Sequence, residues 1–70
     1  MTENKDKICN ELLKLFKLTR EWEHVAAVDY VPEPAREFVV VRFDDGFIKR
    51  INVSWDSGSA LIFDVIKAIY

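Results

Sequence analysis

The segment Glu37 to Phe43, the loop Asp44-Asp45-Gly46 and the run Phe47 to Trp55 constrain this chain more than anything else in it. Two stretches rich in β-branched and aromatic residues, joined by a short loop containing glycine, read as a β-hairpin. The length of the loop decides the faces, because a slip of one residue turns every side chain over. A two-residue Asp45-Gly46 turn would set Arg42 opposite Lys49, placing like charges across the strands. A type I turn with Gly46 left-handed in a bulge instead pairs Phe43 with Phe47, Val41 with Lys49 and Val39 with Ile51. The bulged loop is the preferred reading. It gathers Val39, Val41, Phe43, Phe47, Ile51, Val53 and Trp55 on one almost wholly apolar face. Phe38, Val40, Arg42, Ile48, Arg50, Asn52 and Ser54 fall on the other.

Helical periodicity brackets this hairpin. Ile8, Leu12, Leu15 and Phe16 recur at helical spacing, with Cys9 and Leu13 on the flank, and predict a helix from residue 3 to about 19. Thr2 is its expected N-cap, with Glu3 and Asp6 near the positive end of the dipole. Trp22 to Val31 has the valines and aromatics of a strand with imperfect alternation, and Pro32 and Pro34 end it. Pro32 to Arg36 is therefore a loop. A second helix is predicted from about Ser57 to Tyr70, capped by Asp56 or Ser57. Its core stripe is Leu61, Ile62, Val65, Ile66 and Ile69, with Phe63 and Tyr70 on the flank. That apolar arc is wider than a surface helix needs.

The order α-β-β-β-α gives an α+β domain spanning residues 1–70: a three-stranded antiparallel meander with two helices packed on one face. A chain of 70 residues buries only about 60% of its unfolded surface, and disulfides, metals or oligomerisation are the usual supplements. Cys9 is the only cysteine and His24 the only histidine, so neither an intrachain disulfide nor a zinc site is expected. Self-association or a well-packed core remains, and a homodimer is expected. The 10 basic and 12 acidic residues interleave without a basic stripe, which argues against nucleic-acid binding. No apolar run approaches the ~18 residues of a membrane span, and the polar start does not read as a signal peptide. A cytoplasmic location is the resulting expectation.

Few residues carry chemistry. Asp56, Ser57, Gly58 and Ser59 form a strand-to-helix junction of small residues whose free N–H groups could hold a phosphate or carboxylate. Asp56 would repel such an anion, and an ordinary helix cap explains the same residues. Lys49, Arg50 and Arg42 gather positive charge on the hairpin, largely neutralised by Asp44 and Asp45. Trp22, Trp55 and Tyr30 could stack on rings, but in so small a core they are expected to be structural. Cys9 reads as an inert core thiol, and Asp44 and Asp45 as turn formers. No catalytic set, cofactor site or metal site is expected. Phe38, Val40, Ile48 and Arg50 on the outer sheet face, with Phe63 and Tyr70 on the second helix, are the candidate interface residues.

The stretch Asn52-Val53-Ser54, Asp56-Ser57-Gly58, Ala60-Leu61-Ile62 and Asp64-Val65 resembles the end of small uncharacterised proteins encoded by bacteriophages and prophages, over about the last third of the chain. The resemblance implies an accessory factor that binds a host component and lacks enzymatic activity, and it transfers no functional residue. The expected function is a non-enzymatic interaction module that binds a host protein. The alternative is a binder of a nucleotide or other phosphorylated molecule at Asp56–Ser59.

Overall fold

In the computed structural model, which describes residues 4–70, the hairpin loop adopts the bulged form. Gly46 sits at φ +88° and donates its N–H to the Phe43 carbonyl at 3.0 Å, while Phe43 N–H reaches the Phe47 carbonyl at 2.9 Å. Asp45 Oδ1 accepts from Phe47 N–H at 2.9 Å, so the aspartate builds the turn. Strand β2 (Glu37–Phe43) and strand β3 (Ile48–Asn52) then pair with Val41 opposite Lys49 and Val39 opposite Ile51. Val39, Val41 and Val53 are fully buried on the inner face.

Strand β1 (Val25–Pro32) pairs antiparallel with β2, giving the sheet order β1-β2-β3. Its register shifts between Val25 and Ala27, so Ala26 is the extra residue of a β-bulge. The bulge explains the imperfect alternation: Val25 and Val28, an odd number of residues apart, are both buried. Trp22 to His24, expected in this strand, form a turn closed by Val25 N–H to the Trp22 carbonyl at 3.0 Å. Glu33 and Arg36 exchange both backbone hydrogen bonds across Pro34-Ala35, closing the first hairpin.

Helix α1 (Lys5–Lys17) starts at Asn4, whose Oδ1 accepts from Lys7 N–H at 2.9 Å; Thr2 lies outside the described residues. Cys9, Leu12 and Phe16 are its buried stripe. Cys9 therefore lies at the centre of the stripe rather than on its flank, and Leu15 is exposed. Helix α2 (Gly58–Ile69) is capped by Ser57, whose side chain accepts from Ala60 N–H at 3.2 Å. Leu61 and Val65 are fully buried, and Ile62, Ile66 and Ile69 pack against the same cluster. Both helices cover the inner sheet face, so the chain is an α+β meander with its helices on one side.

The end of the second hairpin departs from expectation. Strand β3 stops at Asn52, and Trp55 is not on the core face. Asp56 N–H closes a turn on the Val53 carbonyl at 3.0 Å, with Trp55 in the third position at φ +71° and 97% exposed. Side chains drive this turn. Asn52 Oδ1 accepts from Ser54 N–H at 2.9 Å, and Ser54 Oγ accepts from Glu37 N–H at 2.8 Å. The Ser54 hydroxyl takes the ladder position that a continuing strand would have filled. Phe47 lies before β3 and is 60% exposed, its ring tilted against Phe43 at 5.9 Å.

Candidate functional site

The topology brings the starts of both helices to one end of the sheet, where β2 begins and β3 ends. The polar side chains there form a network. Lys5, on the first turn of α1, places Nζ 3.1 Å from Glu37 Oε1 and 3.5 Å from the Val53 carbonyl. Tyr30 on β1 donates its hydroxyl to the same Glu37 oxygen. These contacts join α1, β1, β2 and the turn after β3.

The donors set the charge states. The Tyr30 hydroxyl, and then the Lys5 ammonium, hold the Glu37 carboxyl below the usual glutamate range. The same hydrogen bond to Glu37 pushes the Tyr30 phenol up to about 12, because the carboxylate favours the protonated phenol. Asp56 behaves differently. Its Oδ2 is buried and no donor among the described residues reaches it. The neighbouring Asp64 carboxyl raises Asp56 to about 6, with burial as the second cause.

An open cleft of about 670 Å³ lies over this network, and its walls include Lys5, Asp6, Glu37, Asp56 and Ser57. Three carboxyls face a single ammonium that is already engaged by Glu37. Despite the two helix starts, such walls repel a phosphate more than they attract one. Of the four junction residues, Ser57 caps α2, Gly58 is buried, Asp56 is half-buried and Ser59 is exposed. Among the described residues, no three His, Cys, Asp or Glu side chains come together as a metal set.

The expected interface residues divide into two groups. On the outer sheet face, Phe38 and Val40 are half-buried. The Arg50 guanidinium lies 4.4 Å over the Phe38 ring, and Arg42 pairs with Asp29 at 3.3 Å. The arginine stems thus cover much of the apolar surface that the sequence places there. Ile48, at the edge, is 54% exposed. On α2, Phe63 is 66% exposed and Tyr70 is 96% exposed. Phe63, Ile66 and Tyr70 recur at helical spacing along one flank. The Tyr70 ring lies 6.4 Å from Trp22, which meets Phe16 edge-on at 5.2 Å, so the C-terminal ends of both helices are neighbours. Trp22 is thereby structural.

Cys9 is fully buried, and burial pushes its thiol up to about 11, away from the reactive thiolate. His24 is exposed beside Asp44 at 3.8 Å. The Lys5–Glu37–Tyr30 network was not singled out by sequence reasoning, since Lys5 and Glu37 lie 32 positions apart. Tyr30 and Glu37, across the first hairpin, could have been paired once its two-residue loop was placed. Among the described residues, no helix is long and apolar enough to cross a membrane. No protein-family model matches the sequence, and comparison with curated proteins and with solved structures gives no significant match.

Proposed function

We propose that this chain is a non-enzymatic protein-interaction module that forms a homodimer through the outer flank of α2. One observation carries the reading: Phe63 and Tyr70, two turns apart on α2, leave large apolar side chains in water, while Ile66 between them is half-buried against the core. Leu15 and Leu18, at the neighbouring end of α1, are exposed as well. Several large exposed apolar side chains on one small domain suit an interaction surface. The outer sheet face is the weaker rival, because Arg50 lies over Phe38 and both Phe38 and Val40 are already half-buried. A standard interface takes about 800 Å² from each partner, against a total accessible surface of 5063 Å².

A two-fold dimer would bury the same flank from both copies and supply the core that so short a chain lacks. The reading includes a cytoplasmic setting, which suits a single buried thiol, and a host protein as further partner, in keeping with the phage-like C-terminal stretch. Sedimentation of two variants tests the interface. Phe63→Glu should yield a folded monomer, while Val40→Glu should leave the dimer intact. Splitting by Val40→Glu alone would move the interface to the sheet and overturn this assignment.

A further inference from the structure

The sheet has two edges, and they differ. Along β1 the outward backbone groups belong to Val28, Tyr30 and Pro32, because Glu33 and Arg36 form a hydrogen-bonded pair and such pairs recur every second residue. Proline offers no N–H, Val28 is buried and Tyr30 is half-buried, so this edge is blunted. Along β3 the bonded positions run from Phe47, which accepts from Phe43, to Val53, which donates to Glu37. Ile48, Arg50 and Asn52 therefore turn their N–H and C=O groups away from β2, where the sheet has no further strand. All three residues are exposed, as is Lys49 between them.

The charge on this edge is specific. Lys49 and Arg50 are adjacent and so project from opposite faces of the strand. Lys49 has no ion pair among the described residues, and the one carboxylate that Arg50 reaches among them is Glu33, at 4.0 Å, while its guanidinium lies over the Phe38 ring. The hairpin carboxylates nearby are engaged locally: Asp45 on Phe47 N–H, and Asp44 beside His24. Pairing of β3 with a second copy, about a two-fold at Lys49 or Arg50, would set like charges opposite each other.

We infer that the β3 edge is a docking site for an extended acidic segment of another protein, which adds a fourth strand to the sheet. The inference rests on the interaction-module reading and names the partner's chemistry. Ladder hydrogen bonds to Ile48, Arg50 and Asn52 hold the segment, and two consecutive acidic residues meet Lys49 on one face and Arg50 on the other. An apolar residue of the segment covers Ile48. At Arg50 the incoming carboxylate replaces Glu33.

The test uses the full chain, labelled for amide NMR, and three capped valine-rich heptapeptides. One carries a central Glu-Glu pair, one Lys-Lys, and the third is the Glu-Glu peptide N-methylated at alternate amides. The Glu-Glu peptide should slow amide exchange at Ile48, Arg50 and Asn52 at least tenfold, while the other two leave it unchanged. The double variant Lys49→Glu, Arg50→Glu should switch the preference to the Lys-Lys peptide. Equal protection by the Glu-Glu and Lys-Lys peptides, or none at millimolar Glu-Glu peptide, overturns the inference. If the Glu-Glu peptide fails while Phe63→Glu still splits a dimer, the edge site falls alone and the module reading stands.

Discussion

Gly46→Val probes the element on which every assignment of faces depends. At φ +88° an L-residue is strained wherever it sits. A Cβ added at Gly46 would meet no atom within 4 Å, so the penalty is conformational rather than a clash. The left-handed region costs an ordinary L-residue roughly 1–2 kcal/mol, and a β-branched side chain lies at or above the top of that range. Taking about 2 kcal/mol, and about 4–8 °C per kcal/mol for a domain of this size, the melting midpoint should fall by roughly 8–16 °C. Gly46→Asn, which tolerates left-handed backbone, should lose less than half as much. Circular dichroism melts of the three proteins at one concentration give the comparison. An unchanged midpoint for Gly46→Val would mean that the loop is not the bulged form, and the pairing of Val41 with Lys49 would lose its basis.

Two further substitutions examine the helix junction. Ser57→Ala removes the cap on Ala60 N–H and should cost ~0.5–2 kcal/mol in urea unfolding, whereas exposed Ser59→Ala should be close to neutral. Asp56→Asn removes the half-buried ionisable carboxyl beside Asp64, and should raise stability at pH 8 by on the order of 1 kcal/mol. The sign follows from the shift. Asp56 is raised from 3.8 to about 6, so its contribution is complete below 3.8 and is lost as pH rises through 6. Glu37, shifted the other way, contributes above the ordinary glutamate value and loses that contribution as pH falls through its lowered one. Urea midpoints from pH 4 to 8 should therefore fall less steeply with rising pH in Asp56→Asn than in the wild type. An equal slope would show that Asp64 and burial do not raise Asp56.

Local chemistry made the second hairpin legible, because Gly46, the two aspartates and a like-charge conflict at Arg42 and Lys49 left one register. The helices were legible from periodicity, although the α1 stripe is centred on Cys9, which reads as polar or apolar according to context. Two departures have side-chain or backbone causes that a period-2 pattern does not carry. The Ala26 bulge changes the parity of β1, and the Asn52 and Ser54 side chains end β3 before Trp55. The Lys5–Glu37–Tyr30 network was hidden for another reason: it exists only where α1, β1 and β2 converge, and its members have no local signature. The α2 flank was visible as an overly wide apolar arc. The Arg50 guanidinium over Phe38 could be placed only once the strands were paired.

Sedimentation equilibrium of the unmodified chain at tens of micromolar tests the central claim most directly. A dimer should sediment at twice the mass of the 8.2 kDa chain, with a melting point that rises with protein concentration as mass action requires. A monomer with a concentration-independent melting point would contradict it.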